Sequence, residues 1–197
     1  MISRRGAAVA AIVLVLGSAS ALAQTRTIQF VEYSAKFMCG VVEAQAPGAA
    51  PVRPGTYETS INIHNPQLPL QPLPKVTFLK KAVLAPREGE EPVAPSRFRV
   101  DVLVADFAEH VDCKVIRDIL GPAGTAAFIE GYVVLIVIPS PLTVPHELDV
   151  TGVYTVTDQR QGIALEMLTI PARIVPFPLA AGTKLRDKMM EDAKKKE

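Results

Sequence analysis

The sequence predicts an all-β fold, an antiparallel β-sandwich of immunoglobulin-like layout with about eight strands, and three observations carry that prediction. Segments of strict apolar/polar alternation recur along the chain, with the period of two that one buried and one wet strand face impose. Pro, Gly, Asn and Asp dipeptides punctuate them. No long amphipathic helical pattern occurs before residue 180. A closed barrel is the alternative that the same pattern allows.

The cleanest segment is 53–66. Tyr57, Thr59, Ile61 and Ile63 share one face, and Thr56, Glu58, Ser60, Asn62 and His64 share the other, between the turn dipeptides Pro54-Gly55 and Asn65-Pro66. Before it, Tyr33, Ala35, Phe37 and Cys39 alternate with Glu32, Ser34 and Lys36, giving a first strand over 28–40. Residues 45–54, rich in Pro, Ala and Gly, form the loop between these two strands. After it, the prolines at 66, 69 and 72 fit a short polyproline II stretch, read as a stiff connecting loop.

A strand over 76–84 contains Lys80 and Lys81, which suits an exposed or edge position. Residues 86–96 are a polar, acidic, proline-bearing loop, followed by a strand in which Phe98, Val100, Val102 and Val104 alternate with Arg97, Arg99, Asp101 and Leu103. Residues 106–110 read as a polar turn and 111–115 as a strand, with 116–120 undecided between helix and strand end. The wholly apolar run 133–138 needs cover on both faces. The segments 148–157 and 163–174, joined by a turn at 158–162, read as a hairpin. Leu185, Met189 and Ala193, four apart, mark a short C-terminal helical tail; at about 15 residues such a helix is marginal alone, so a frayed, solvated tail is expected.

Three regions follow: a leader over 1–23, a β-sandwich over 24–180 and a charged tail over 181–197. The leader has Arg4 and Arg5, an apolar run over 7–16 and Ala21-Leu22-Ala23, the form of a secretory signal cleaved near Ala23, before Gln24. The run is too short to span a bilayer as a helix, so the mature chain is expected to carry no transmembrane segment and to work in the periplasm or outside the cell. Without Arg4 and Arg5, 19 basic residues face 20 acidic ones, a net charge of −1. That balance argues against nucleic acid as the main partner, which needs a concentrated basic surface.

Cys39 and Cys113 are the two cysteines, and the alternation places both on inward faces. In an oxidising compartment such a pair most often forms a disulfide; two buried free thiols and a nucleophilic cysteine are the alternatives. The three histidines, His64, His110 and His146, have no metal-site spacing, so no metal and no cofactor is assigned. Gly-x-Ser-x-Gly and the phosphate-cradling glycine loops are absent, and no catalytic residue is assigned. Among Glu58, Asp101, Asp106, Glu109, Asp112 and Asp149, no spacing singles out an acid/base pair. The chain has no Trp and 6% aromatic residues, which weakens a carbohydrate-stacking platform. The candidate binding face is therefore the polar side of the 53–66 strand: Glu58, Ser60, Asn62 and His64.

The segments 33–40 (YSAKFMCG), 54–66 (PGTYETSINIHNP), 105–113 (ADFAEHVDC), 130–134 (EGYVV) and 148–155 (LDVTGVYT) resemble a family of uncharacterised secreted bacterial proteins. The family pattern is approximately YxAKFxCG, PGxYxTxINIHNP, an acidic stretch closing in DC, a GFVVI-like strand and LDVxxVYT. The likeness covers most of residues 33–157 and implies a β-sandwich with no attached activity. The proline loop at 66–74 and the tail depart from the pattern. In layout alone the chain is similar to the sensory rhodopsin transducer proteins, small β-sandwiches that oligomerise and act through binding. The expectation is a non-enzymatic protein acting through a protein partner, self-association or the envelope. The alternatives are a small-ligand or carbohydrate-binding module and a hydrolase with an unrecognised site.

Overall fold

β1 (Thr27–Val42) is the strand on which both layers are assembled in the computed structural model, which describes residues 27–43, 52–69, 74–86, 89, 91–139, 146–158 and 162–194. Its residues 31–40 pair with β6 (Phe128–Val137) along one edge. The opposite edge is shared: residues 27–32 pair with β9 (Arg173–Pro178), and Gly40, Val41 and Val42 pair with β2 (Gly55–His64). β6 carries β3 (Lys75–Leu84) and then β4 (Arg99–Val104), so one layer runs β9-β1-β6-β3-β4. β2 begins the other layer, with β5 (Ala108–Asp112) on one side and β7 (Asp149–Asp158) and β8 (Gly162–Thr169) on the other. All pairings are antiparallel, and the short β1–β2 ladder joins the layers into one sheet folded over its own core.

The core lies between the layers. Val31, Tyr33, Ala35, Phe37 and Cys39 of β1 meet Ile61 and Ile63 of β2, Phe78 of β3, Val111 of β5, and Val133, Leu135 and Val137 of β6. Thr59, buried among them, replaces a backbone rung where β1 and β2 diverge: its hydroxyl accepts from the Met38 N–H and donates to the Met38 carbonyl, both at 2.9 Å. Tyr33 is equally buried, and its Oη accepts the Leu148 N–H at 2.6 Å, anchoring the entry to β7.

The opposite side of β1 is also covered. Ile28 and Phe30 face α2 (Leu179–Lys194), where Met189 is buried and Leu185 packs beside it. Gly182 permits the close approach, since a Cβ there would lie 1.8 Å from Ile28 Cγ2. The expectation of a solvated tail is thus corrected: an apolar helix stripe finds a waiting apolar strip of sheet, and packing supplies what a 16-residue helix lacks alone. The same cover explains the run 133–138: Val133, Leu135 and Val137 face the main core, and Ile136 and Ile138 face the α2 cluster.

Four further expectations change. Nine strands are present among the described residues, because the segment 163–174 divides: Pro171 falls in the three-residue link 170–172, and the chain leaves β8 in one layer to form β9 in the other. The turn expected at 106–110 is tighter, with Asp106 at φ 62° and β5 beginning at Ala108. The strand expected at 111–115 ends at Asp112, whose carboxylate accepts the Val115 N–H at 2.8 Å and caps α1 (Cys113–Leu120). Lastly, β3 is an interior strand, and Lys80 is not exposed but buried between the layers. The leader at 1–23, and residues 70–73 of the proline loop, lie outside the described residues.

Candidate functional site

Cys39 and Cys113 are joined by a disulfide, with Cα atoms 5.6 Å apart and a sequence separation of 74. It ties the end of β1 to the first residue of α1, and Arg117 reinforces the junction from one turn further on. The Arg117 guanidinium donates to the carbonyls of Cys39, Gly124 and Ala126, closing α1 and the 3-10 turn Gly121–Thr125 onto β1. Gly40, at φ 115°, leaves the room: a Cβ there would lie 1.9 Å from the Ala127 carbonyl oxygen.

Glu58, Ser60, Asn62 and His64 lie together on the outer face of β2. Glu58 and Asn62 are exposed, Ser60 and His64 half-buried. The pairings extend this face in both directions. Ser60 is opposite Asp112 and Asn62 opposite His110 on β5, two residues that the sequence reading did not place on this face. Glu58, Ser60, His110 and Asp112, with Lys114 and Val153, line a concavity of about 410 Å³. His64 sits between two carboxylates, its Nε2 3.5 Å from Asp106 and its Nδ1 3.3 Å from Asp149. Among the described residues, no group of three or more His, Cys, Asp and Glu side chains is arranged to hold a metal ion.

In the other direction the same face turns apolar. Glu58 is followed across the sheet by Thr155 and Leu165, Ser60 by Val153 and Met167, and Thr56 by Thr157 and Ile163. Ile163, Leu165 and Met167 are 73, 67 and 68% exposed, and Leu168 on the reverse face is 46% exposed. Every residue of β8 is exposed, and its pairing is with β7 along one edge. The sequence concealed this, because an alternating apolar strand looks the same whether it lines a core or a contact surface. The asymmetry that distinguishes β8 is apolar residues on both faces at the margin of a sheet.

Two of the candidate carboxylates do meet. Asp101 of β4 and Glu109 of β5 face inward and close on Lys80, with the ammonium 2.9 Å from Asp101 and in direct contact with Glu109. The ammonium holds both acids, one from each layer, in an ion-paired cluster. In β3, Lys80 shares the inward face of Val76, Phe78 and Ala82.

Compared with family models, curated proteins and solved structures, the chain matches none.

Proposed function

We propose that the protein is an exported, non-enzymatic β-sandwich that acts by binding protein, itself included, in the periplasm or outside the cell, and that it belongs with the secreted bacterial proteins whose motifs it resembles. The observation that carries this reading is β8, a marginal strand with large apolar side chains on both faces and no cover within the described chain. Contiguous exposed apolar surface of this kind marks contact sites in proteins. Export is supported by the leader pattern of residues 1–23, and the disulfide is compatible with an oxidising compartment. No helix among the described residues is long and apolar enough to cross a membrane.

A second reading, a small-ligand or carbohydrate-binding module, is favoured by the polar concavity around Glu58, Ser60, His110 and Asp112. A thermal-shift screen of the mature protein against sugars, nucleotides and divalent metals separates the two. The protein-contact reading expects no ligand class to raise the melting temperature. A reproducible rise with one class, lost on Glu58→Ala and His110→Ala, contradicts it.

A further inference from the structure

We infer that β8 pairs with β8 of a second copy, antiparallel, with the two-fold axis through Leu165. This rests on the protein-contact reading and names the partner.

The open edge of β8 has the properties that sheet margins normally avoid. Residues 162–169 contain no Pro and no Lys, and Glu166 is the charge they carry. Among the described residues no strand pairs with the side of β8 away from β7, so its main-chain groups can receive another strand. Ile163, Leu165, Met167 and Leu168 are all exposed at this margin, the kind of apolar surface that marks a contact site.

The sequence of β8 selects its own copy, and symmetry selects the register. An antiparallel pair built by a two-fold axis perpendicular to the sheet keeps each residue on its own face, so the axis must pass through a residue rather than between two. With the axis at Glu166, two carboxylates stand directly opposite each other, which is destabilising. With the axis at Ala164, Met167 overhangs the start of the strand and finds no β8 partner. With the axis at Leu165, Ile163 faces Met167 of the second copy, Leu165 faces Leu165, and each Glu166 faces an Ala164. The apolar face is then continuous across the junction, no like charges meet, and the layer β5-β2-β7-β8 doubles into one eight-stranded sheet. Because the apolar triplet is centred on Leu165, the axis there sets each of its members against another apolar side chain.

Cysteine pairing in the oxidised mature protein, whose native disulfide leaves no free thiol, reads the register directly. Leu165→Cys is expected to cross-link into a covalent dimer. Ala164→Cys and Glu166→Cys are each expected to cross-link poorly alone and efficiently when mixed, as are Ile163→Cys and Met167→Cys. Light scattering is expected to give twice the monomer mass for the unmodified protein and the monomer mass for Leu165→Lys, with the cooperative thermal transition retained because position 165 is exposed. Equal cross-linking at every position, no cross-link at Leu165→Cys, or a strict monomer at high concentration overturns the inference. Such a result leaves the protein-contact reading to stand or fall on the ligand screen.

Discussion

Lys80 and Tyr33 show how single side chains set the interior. The Lys80 ammonium neutralises two carboxylates contributed by different layers, Asp101 and Glu109. Lys80→Met leaves those acids confronting each other, at an expected cost of about 3 kcal/mol, moderated by the water that reaches both carboxylates. Adding Asp101→Asn and Glu109→Gln should restore most of the loss, and urea unfolding of the single and triple variants measures both. Tyr33 accepts the Leu148 N–H deep in the core, so Tyr33→Phe orphans a buried donor and should cost about 1–2 kcal/mol near neutral pH. Burial pushes the Tyr33 phenol up from its ordinary value near 10, against the opposing effect of the Leu148 hydrogen bond. Above about pH 10 the unfolded phenol loses its proton while the folded one keeps it, so the unfolded state binds fewer protons and stability falls as pH rises. Below pH 10 that contribution is fully present. Unfolding curves between neutral pH and about pH 11 should therefore decline less steeply for Tyr33→Phe than for the unmodified protein.

At the scale of elements, α2 is a structural member and its removal has consequences. Met189 fills the space over Ile28, Phe30 and Leu79, so Met189→Ala should cost about 2 kcal/mol in chemical denaturation, where a solvated helix would show almost no effect. What was legible in the sequence divides along physical lines. β2 could be read because its two faces meet different media, core and solvent, and residue type reports that difference well. Lys80 could not, because lysine reports burial only together with its partners, and Asp101 and Glu109 come from strands 21 and 29 residues away. The β8–β9 division turned on Pro171, which ends pairing in one layer, while the apolar composition on either side of it hid the crossing. The boundary between β5 and α1 depended on the Asp112 cap, a single hydrogen bond within an alternating pattern that favoured continuing the strand. Of the candidate face, Glu58, Ser60, Asn62 and His64 were placed by periodicity alone; His110 and Asp112 join them through inter-strand register, which one sequence does not encode locally.

On the scale of the whole molecule, the two layers are unequal. The β9-β1-β6-β3-β4 layer is covered inside by the main core and over part of its outer side by α2. Among the described residues, nothing covers the outer face of the β5-β2-β7-β8 layer, which passes from polar at β5 and β2 to apolar at β8, and no strand pairs with its β8 margin. Self-pairing through β8 would give the apolar side chains and main-chain groups at that edge a partner. Hydrogen exchange of residues 162–169 as a function of protein concentration tests this most directly. Pairing between copies predicts that exchange within β8 slows as concentration rises, while β1 and β6 stay protected throughout, and that Leu165→Lys abolishes the concentration dependence. Exchange in β8 that is equally fast at every concentration would contradict it.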